Sequence, residues 1–99
     1  MKDEDLEMNP MAWEFLKRAQ EHMDNRASTY DAPGGERSMS KAVEMFNILT
    51  GLPVTDEQGW LFMALLKIVR CQQGNYRADN YEDGAAYMAL AGETASRTR

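Results

Sequence analysis

Apolar and polar positions follow a helical period through the first half of the chain. Apolar residues recur every three or four positions from residue 10 to about residue 27, after the helix-start signal Asn9-Pro10. A second periodic stretch runs from residue 39 to residue 50 and stops at Gly51, with Pro53 beyond it. The segment between them, Ser28 to Arg37, has no period and predicts a loop.

The second half of the chain predicts two more helices. Thr55-Asp-Glu-Gln58 is a capping-box pattern, and the stretch Trp60 to Cys71 that follows is apolar except for Lys67 and Arg70. A helix that is apolar around most of its circumference is typical of the centre of a bundle. We expect this helix to end near residue 74.

The last predicted helix begins with a second capping pattern, Asp79-Asn-Tyr-Glu82. Small residues dominate its continuation from Gly84 to Ala91 and predict close packing against a neighbour, and Gly92 predicts its end. No stretch alternates with a period of two for long enough to predict a strand. The predicted fold is therefore all-α, a compact bundle of about four helices with short loops.

The chain divides into one domain and two tails. Its 99 residues suffice for a single core. We expect residues 1–8 to be a flexible acidic tip, residues 9–92 to form the helical domain, and residues 93–99 to be a flexible tail.

Charge and composition exclude several classes of function. A formal net charge of −5 argues against binding to duplex nucleic acid, which requires a basic face. The longest apolar run, Trp60 to Leu66, is far shorter than the roughly 18 residues of a membrane span, and no leader-like segment precedes the first helix. We expect a soluble cytoplasmic protein. Cys71 is the only cysteine, so one chain holds neither a disulfide nor a thiolate zinc cluster.

Candidate chemistry is concentrated where charges meet the apolar third helix. Lys67 and Arg70 lie three positions apart on that helix, and Asp79, Asp83 and Tyr87 lie four apart on one face of the next. These charges could form a structural ion-pair network that fixes the register of the two helices. Alternatively, the two cations hold phosphates while Asp79 and Asp83 bind a hydrated Mg²⁺ ion. Both interpretations can hold together.

The loop between the first two helices carries a second candidate feature, in the sequence YDAPGGERS. Gly34 and Gly35 allow backbone N–H groups to point at an anion, and Arg37 adds a forked donor near a helix N-terminus. Arg26 and Tyr30 precede the loop and could add a phosphate contact and a base-stacking surface. The alternative is a plain Pro-Gly-Gly turn whose flanking residues only anchor the loop.

Other residues suggest packing and association. His22, the only histidine, has no metal-binding pattern around it and is expected to play no chemical role. The eight methionines provide adaptable packing surfaces, and the apolar third helix and Ala-rich fourth helix favour burial against a second subunit. We expect a homo-oligomer, most simply a dimer.

Residues 21–93 resemble a family of small phage-encoded domains of uncharacterised function. The resemblance rests on an Arg and a Tyr before a Gly-containing loop, a Phe-bearing helix, the LLKxxR helix and the final DxxxDxxxY helix. The helical plan is also similar to all-α MazG-like nucleotide pyrophosphatases and to phage nucleotide kinases that lack a P-loop. The resemblance implies a nucleoside phosphate ligand, Mg²⁺ and the cytoplasm of an infected bacterial host.

The resemblance leaves catalysis open. MazG-like enzymes carry ExxE and ExxD carboxylate pairs on two core helices, whereas here Glu4-x-x-Glu7 precedes the Asn9-Pro10 break and Glu21-x-x-Asp24 lies in the first helix. No GxxxxGK[ST] phosphate loop is present either. If the protein is an enzyme, Asp79 and Asp83 are the candidate catalytic residues.

Three functions are consistent with the sequence. The first is a phage nucleotide-metabolism protein that binds a nucleoside phosphate with magnesium, as a phosphohydrolase, as a kinase-like enzyme or by binding alone. The second is a phage effector that binds and inhibits a host protein through apolar, methionine-rich faces. The third is a non-catalytic oligomerisation module.

Overall fold

The fold is all-α, as predicted. The computed structural model describes residues 9–30 and 38–99. These residues form four helices and no strand: α1, Ala12–Tyr30; α2, Ser38–Thr50; α3, Asp56–Cys71; and α4, Ala78–Thr98. None of the described helices combines the length and the apolar character that crossing a membrane requires.

The helices pack in the order α1, α4, α3, α2. α3 and α4 are antiparallel, because Glu57 near the start of α3 contacts Arg99 while Lys67 near its end contacts Asp83. α1 packs on another side of α4 and runs parallel to it, with Phe15 against Tyr81 and a later α1 residue, Arg26, on Tyr87. α2 packs on α3 through a much smaller contact.

The core lies between α3 and α4. Trp60, Ala64, Tyr87 and Ala91 form its buried centre, and the rings of Trp60 and Tyr87 stack with their centroids 5.9 Å apart. Small residues allow this approach: Ala86 is fully buried, and Ala64 and Ala91 nearly so. The large side chains in this centre are therefore aromatic, and alanines fill most of the rest.

The link between α2 and α3 is held by side-chain caps. Asn47 receives the backbone N–H of Val54 on its Oδ1, at 3.0 Å, and donates from Nδ2 to the Val54 carbonyl, at 2.8 Å. The predicted capping box at the start of α3 is confirmed, with Gln58 N–H to Thr55 Oγ1 at 3.1 Å and Thr55 N–H to Gln58 Oε1 at 3.0 Å. Gly51, at φ +74°, makes the turn that ends α2.

Both predicted ends of α4 were wrong. The N-cap is Arg77, without a side-chain capping bond, and Glu82 is buried against α1 instead of closing a capping box. α4 also continues through Gly92 to Thr98, so most of residues 93–99 are helical. The last turns are held by the Glu93–Arg97 pair and by Arg99, whose guanidinium lies 2.6 Å from Glu57 Oε2.

A large apolar surface of α2 and α3 faces outward. On α3 the exposed face of Phe62, Leu65 and Val69 lies away from the buried Trp60 and Ala64, and on α2 Val43 is the one buried residue. We name this the α2–α3 apolar surface; its exposed members are Met45, Phe46, Ile48, Leu49, Leu52, Phe62, Leu65 and Val69.

Candidate anion-binding site

One face of α4 carries a row of polar residues, each of which meets a cation. Asp79, Asp83 and Tyr87 lie four positions apart, so they project from the same side of the helix. Asp79 pairs with Arg77, Asp83 with Lys67 of α3, and the Tyr87 hydroxyl with Arg26 of α1. The structure thus brings together, along one face, five of the site residues that the sequence predicted.

The Lys67–Asp83 pair joins α3 to α4 in a partly buried setting. Lys67 Nζ lies 3.1 Å from Asp83 Oδ2, and the two side chains are 13% and 19% exposed. A charge pair shielded to this extent is costly to break on one side, because the remaining charge stays desolvated. The ion-pair interpretation of these two residues therefore holds in this structure.

A basic pocket opens beside this pair. It has a volume of about 300 Å³ and is lined by Lys67, Arg70, Gln73, Arg77, Asp79 and Asn80. Arg70 is exposed, and within residues 9–30 and 38–99 no carboxylate lies at ion-pair distance from it. Three cations thus face one carboxylate in this pocket, on a protein whose net charge is −5.

Asp79 is held in its charged form by the same cations. Arg77 Nε lies 3.3 Å from Oδ1, and its terminal nitrogen lies 3.4 Å from Oδ2. The hydrogen bond and charge of Arg77, with a smaller contribution from Lys67, lower the pKa of Asp79 below 3.8. The carboxylate is ionised at neutral pH.

An apolar pocket shares Asn80 with the basic pocket. Asn80 is buried, and its amide donates to the Arg70 carbonyl at 3.5 Å. The apolar pocket, of about 340 Å³, lies between α3 and α4 and includes Ile68, Tyr81 and Met88 in its wall. Tyr81 also contacts the Tyr76 ring, with centroids 5.8 Å apart. An aromatic surface therefore lies within one residue of the basic pocket.

Tyr87 and Arg26 connect the row on α4 to the core. Arg26 donates to the Tyr87 hydroxyl at 2.9 Å, and its guanidinium carbon lies 5.0 Å from the centre of the ring. The Tyr87 ring is buried on Trp60. Tyr87 therefore reaches the row through its hydroxyl, while its ring belongs to the core.

The predicted phosphate loop cannot be placed. Gly34, Gly35 and Arg37 lie outside the described residues. Tyr30 ends α1, and its side chain is likewise outside the description. These four residues stay predictions.

One buried carboxylate, Glu82, was not predicted from the sequence. Glu82 is 5% exposed and receives two side chains of α1: His22 Nε2 lies 2.9 Å from its Oε1, and an Arg18 guanidinium nitrogen lies 3.4 Å from its Oε2. Arg18 and His22 are four apart on one helix face, a spacing that could have indicated a shared acidic partner. The single histidine thus has a contact between helices.

The magnesium prediction is untested. In the described part of the chain, no three His, Cys, Asp or Glu side chains lie close enough to hold a metal ion together. Asp79 and Asp83 offer the oxygen ligands that Mg²⁺ prefers, but each pairs with a cation here. A magnesium ion at these residues would therefore need phosphate oxygens and water as its other ligands.

Comparison with known proteins gives a family. No curated protein and no solved structure matches the chain. The model of the family described as "Domain of unknown function (DUF6378)" matches residues 14–95, which span α2, α3 and nearly all of α1 and α4. The chain therefore belongs to the DUF6378 family.

Proposed function

We propose that this protein binds a nucleoside phosphate, with the phosphate in the basic pocket. The observation that carries the proposal is the convergence of Lys67, Arg70 and Arg77 on one pocket of an acidic protein. Grouping three like charges is unfavourable unless anions compensate them, and Asp83 and Asp79 pair with two of the three, Lys67 and Arg77. A phosphate would compensate the third, Arg70.

The cations suit a phosphate in different ways. Arg70 offers a forked guanidinium that matches two phosphate oxygens, and its side chain is exposed. Lys67 carries a point charge, and its ammonium group is already positioned by the ion pair with Asp83. If Mg²⁺ accompanies the phosphate, Asp83 and Asp79 would bind it, and the phosphate would replace Asp83 as the partner of Lys67. No buried charge would then lose its partner.

Two further features support a nucleoside on the phosphate. The apolar pocket with Tyr81 adjoins the basic pocket at Asn80, and an aromatic ring is a surface on which bases stack. The likeness of the helical plan to MazG-like pyrophosphatases and phage nucleotide kinases favours the same ligand class. Under this proposal the protein serves nucleotide metabolism in the cytoplasm of a phage-infected bacterium. If it also hydrolyses or transfers phosphate, Asp79 and Asp83 would be its catalytic residues.

The test is thermal unfolding against nucleoside mono- and triphosphates, with and without Mg²⁺. A ligand at a hundred times its dissociation constant adds about 2.7 kcal/mol, which raises Tm by several degrees in a domain of this size. We expect such a shift in the wild type and at least a tenfold weaker affinity in Arg70→Met, which keeps much of the side-chain volume and removes the charge.

The matched control is Arg97→Met. It makes the same change of residue and net charge on exposed α4 surface, where Arg97 forms an i,i+4 pair with Glu93. Equal losses in both variants would show a general charge effect and contradict the site. A nucleotide shift that survives Arg70→Met would also contradict it. If no nucleotide raises the Tm of the wild type, the host-protein effector or the oligomerisation module would be favoured.

A further inference from the structure

The α2–α3 apolar surface is larger than a monomer normally exposes. An exposed Leu, Ile or Phe side chain offers on the order of 100 Å² of apolar area, so the surface offers roughly 800 Å². The largest apolar patch on a typical monomer is about 300–600 Å², and a stable dimer buries about 800 Å² per partner. The surface therefore has the size of a protein interface.

The rest of the fold buries little apolar surface. In the described part of the chain, no large side chain is completely buried. The Cα radius of gyration is 15.5 Å, against about 13 Å expected for a chain of this length. α2 has 13 residues, one of them buried, and a helix this short is marginal by itself in water. A stable α2 therefore requires another surface that is always packed against its exposed apolar side chains.

The undescribed segments of the chain are poor covers. Residues 1–8, MKDEDLEM, are mostly charged, and residues 31–37, DAPGGER, contain no large apolar side chain. Neither sequence provides the apolar area that the surface exposes. An apolar surface on another molecule would provide it.

The charges around the surface suit a second copy of the same chain. Its large members are uncharged, and Lys41 and Glu44, which flank Ile48 on α2, have opposite signs. A two-fold contact sets the same surface against itself, so a patch of one sign would repel its copy, whereas this patch would not. A copy of the chain is also present whenever the protein is made.

We propose that the protein is a homodimer in which the α2–α3 apolar surfaces of two copies pack together. The pairing brings two helices from each copy into one four-helix arrangement and covers both stripes of apolar residues. It adds a second apolar core to the one between α3 and α4. This proposal is independent of the ligand pocket.

The test compares two identical substitutions in the full chain. Leu49 is 83% exposed on the proposed interface, and Leu16 is 64% exposed on α1, away from it. We expect the wild type to have twice the chain mass of 11.3 kDa by light scattering or sedimentation. Leu49→Glu should be monomeric, because each substitution acts twice in a two-fold interface, and Leu16→Glu should remain dimeric.

Milder variants keep the test decisive if Leu49→Glu does not fold. Leu49→Ala should weaken the dimer by at least tenfold in dissociation constant, while Leu16→Ala leaves it unchanged. A folded wild type that stays monomeric at high concentration would overturn the proposal and leave the surface for a different protein. A dimer that tolerates both substitutions at Leu49 would place the interface elsewhere.

Discussion

At the scale of single residues, Glu82 ties α1 to α4. Its buried carboxylate accepts from Arg18 and lies against the His22 ring, so both oxygens have a partner on α1. A buried carboxylate with partners on one neighbouring helix fixes how that helix docks, because any other position leaves the charge unpaired. Glu82 therefore specifies the position of α1.

Glu82→Gln removes this charge with little change in shape. We expect the free energy of unfolding to fall by about 1–3 kcal/mol, because charge-assisted hydrogen bonds are lost in a buried site. Urea unfolding at neutral pH and one fixed protein concentration measures it. Glu93→Gln, which removes an exposed i,i+4 partner of Arg97, should change stability by less than about 0.5 kcal/mol. Equal effects at the two positions would show that Glu82 has no special role.

The contribution of Asp79 to stability should depend on pH. Because Arg77 lowers its pKa in the folded state, the contribution of Asp79 to stability is present above pH 3.8 and is lost as pH falls through the lowered value. Its side chain is 46% exposed, so the contribution is small. The direct measurement is an NMR titration of the Asp79 carboxyl carbon.

We expect the Asp79 midpoint to lie below 3.8 in the wild type and to rise in Arg77→Met. In Arg97→Met, which makes the same substitution at a distance, the midpoint should stay where it is in the wild type. If the midpoint does not move in Arg77→Met, the ion pair seen here is absent in solution.

At the scale of elements, one glycine sets how α2 sits on α3. A Cβ at Gly59 would lie 2.5 Å from Met39 Sδ and 2.9 Å from Val43 Cγ2, both of α2. Met39 can move aside, but the β-branched Val43 is stiff and buried. The absence of a side chain at Gly59 is therefore what allows the two helices to approach.

Gly59→Ala should displace α2. Alanine favours helices, yet we expect a loss of about 1–3 kcal/mol in unfolding free energy from the overpacked contact. Gly92→Ala is the control, because nothing lies within 4 Å of a Cβ there, and it should gain about 0.5–1 kcal/mol. Chemical denaturation compares the two variants. A gain at both positions would contradict the close contact between α2 and α3.

Local signals predicted the elements, and contacts distant in sequence decided what they missed. The capping box at Thr55 and the ends of α2 could be predicted from the sequence, because they depend on neighbouring residues. Glu82 has the same local pattern as Gln58, but its partners are sixty or more positions away, so it does not cap. The spacing of Asp79, Asp83 and Tyr87 predicted that they share a helix face, whereas the pairing of Asp79 with Arg77 was not predicted. The Glu57 contact of Arg99, likewise distant, accompanies the extended end of α4.

At the scale of the whole molecule, the two proposed surfaces lie on different faces of α3. Lys67 and Arg70 project toward the row on α4, while Phe62, Leu65 and Val69 share a face about half a turn away. A dimer through the apolar surface would therefore leave the basic pocket open. Either proposal can fail without the other.

The parallel packing of α1 on α4 has a consequence for synthesis on the ribosome. The side-chain contacts of Arg18, His22 and Arg26 with α4 join residues 60 to 64 positions apart, whereas α3 and α4 are neighbours in the chain. At roughly 5–20 residues per second, α1 emerges several seconds before its partner exists. Its apolar face is then available to chaperones and proteases. The time to make α4 thus sets how long each new chain is vulnerable.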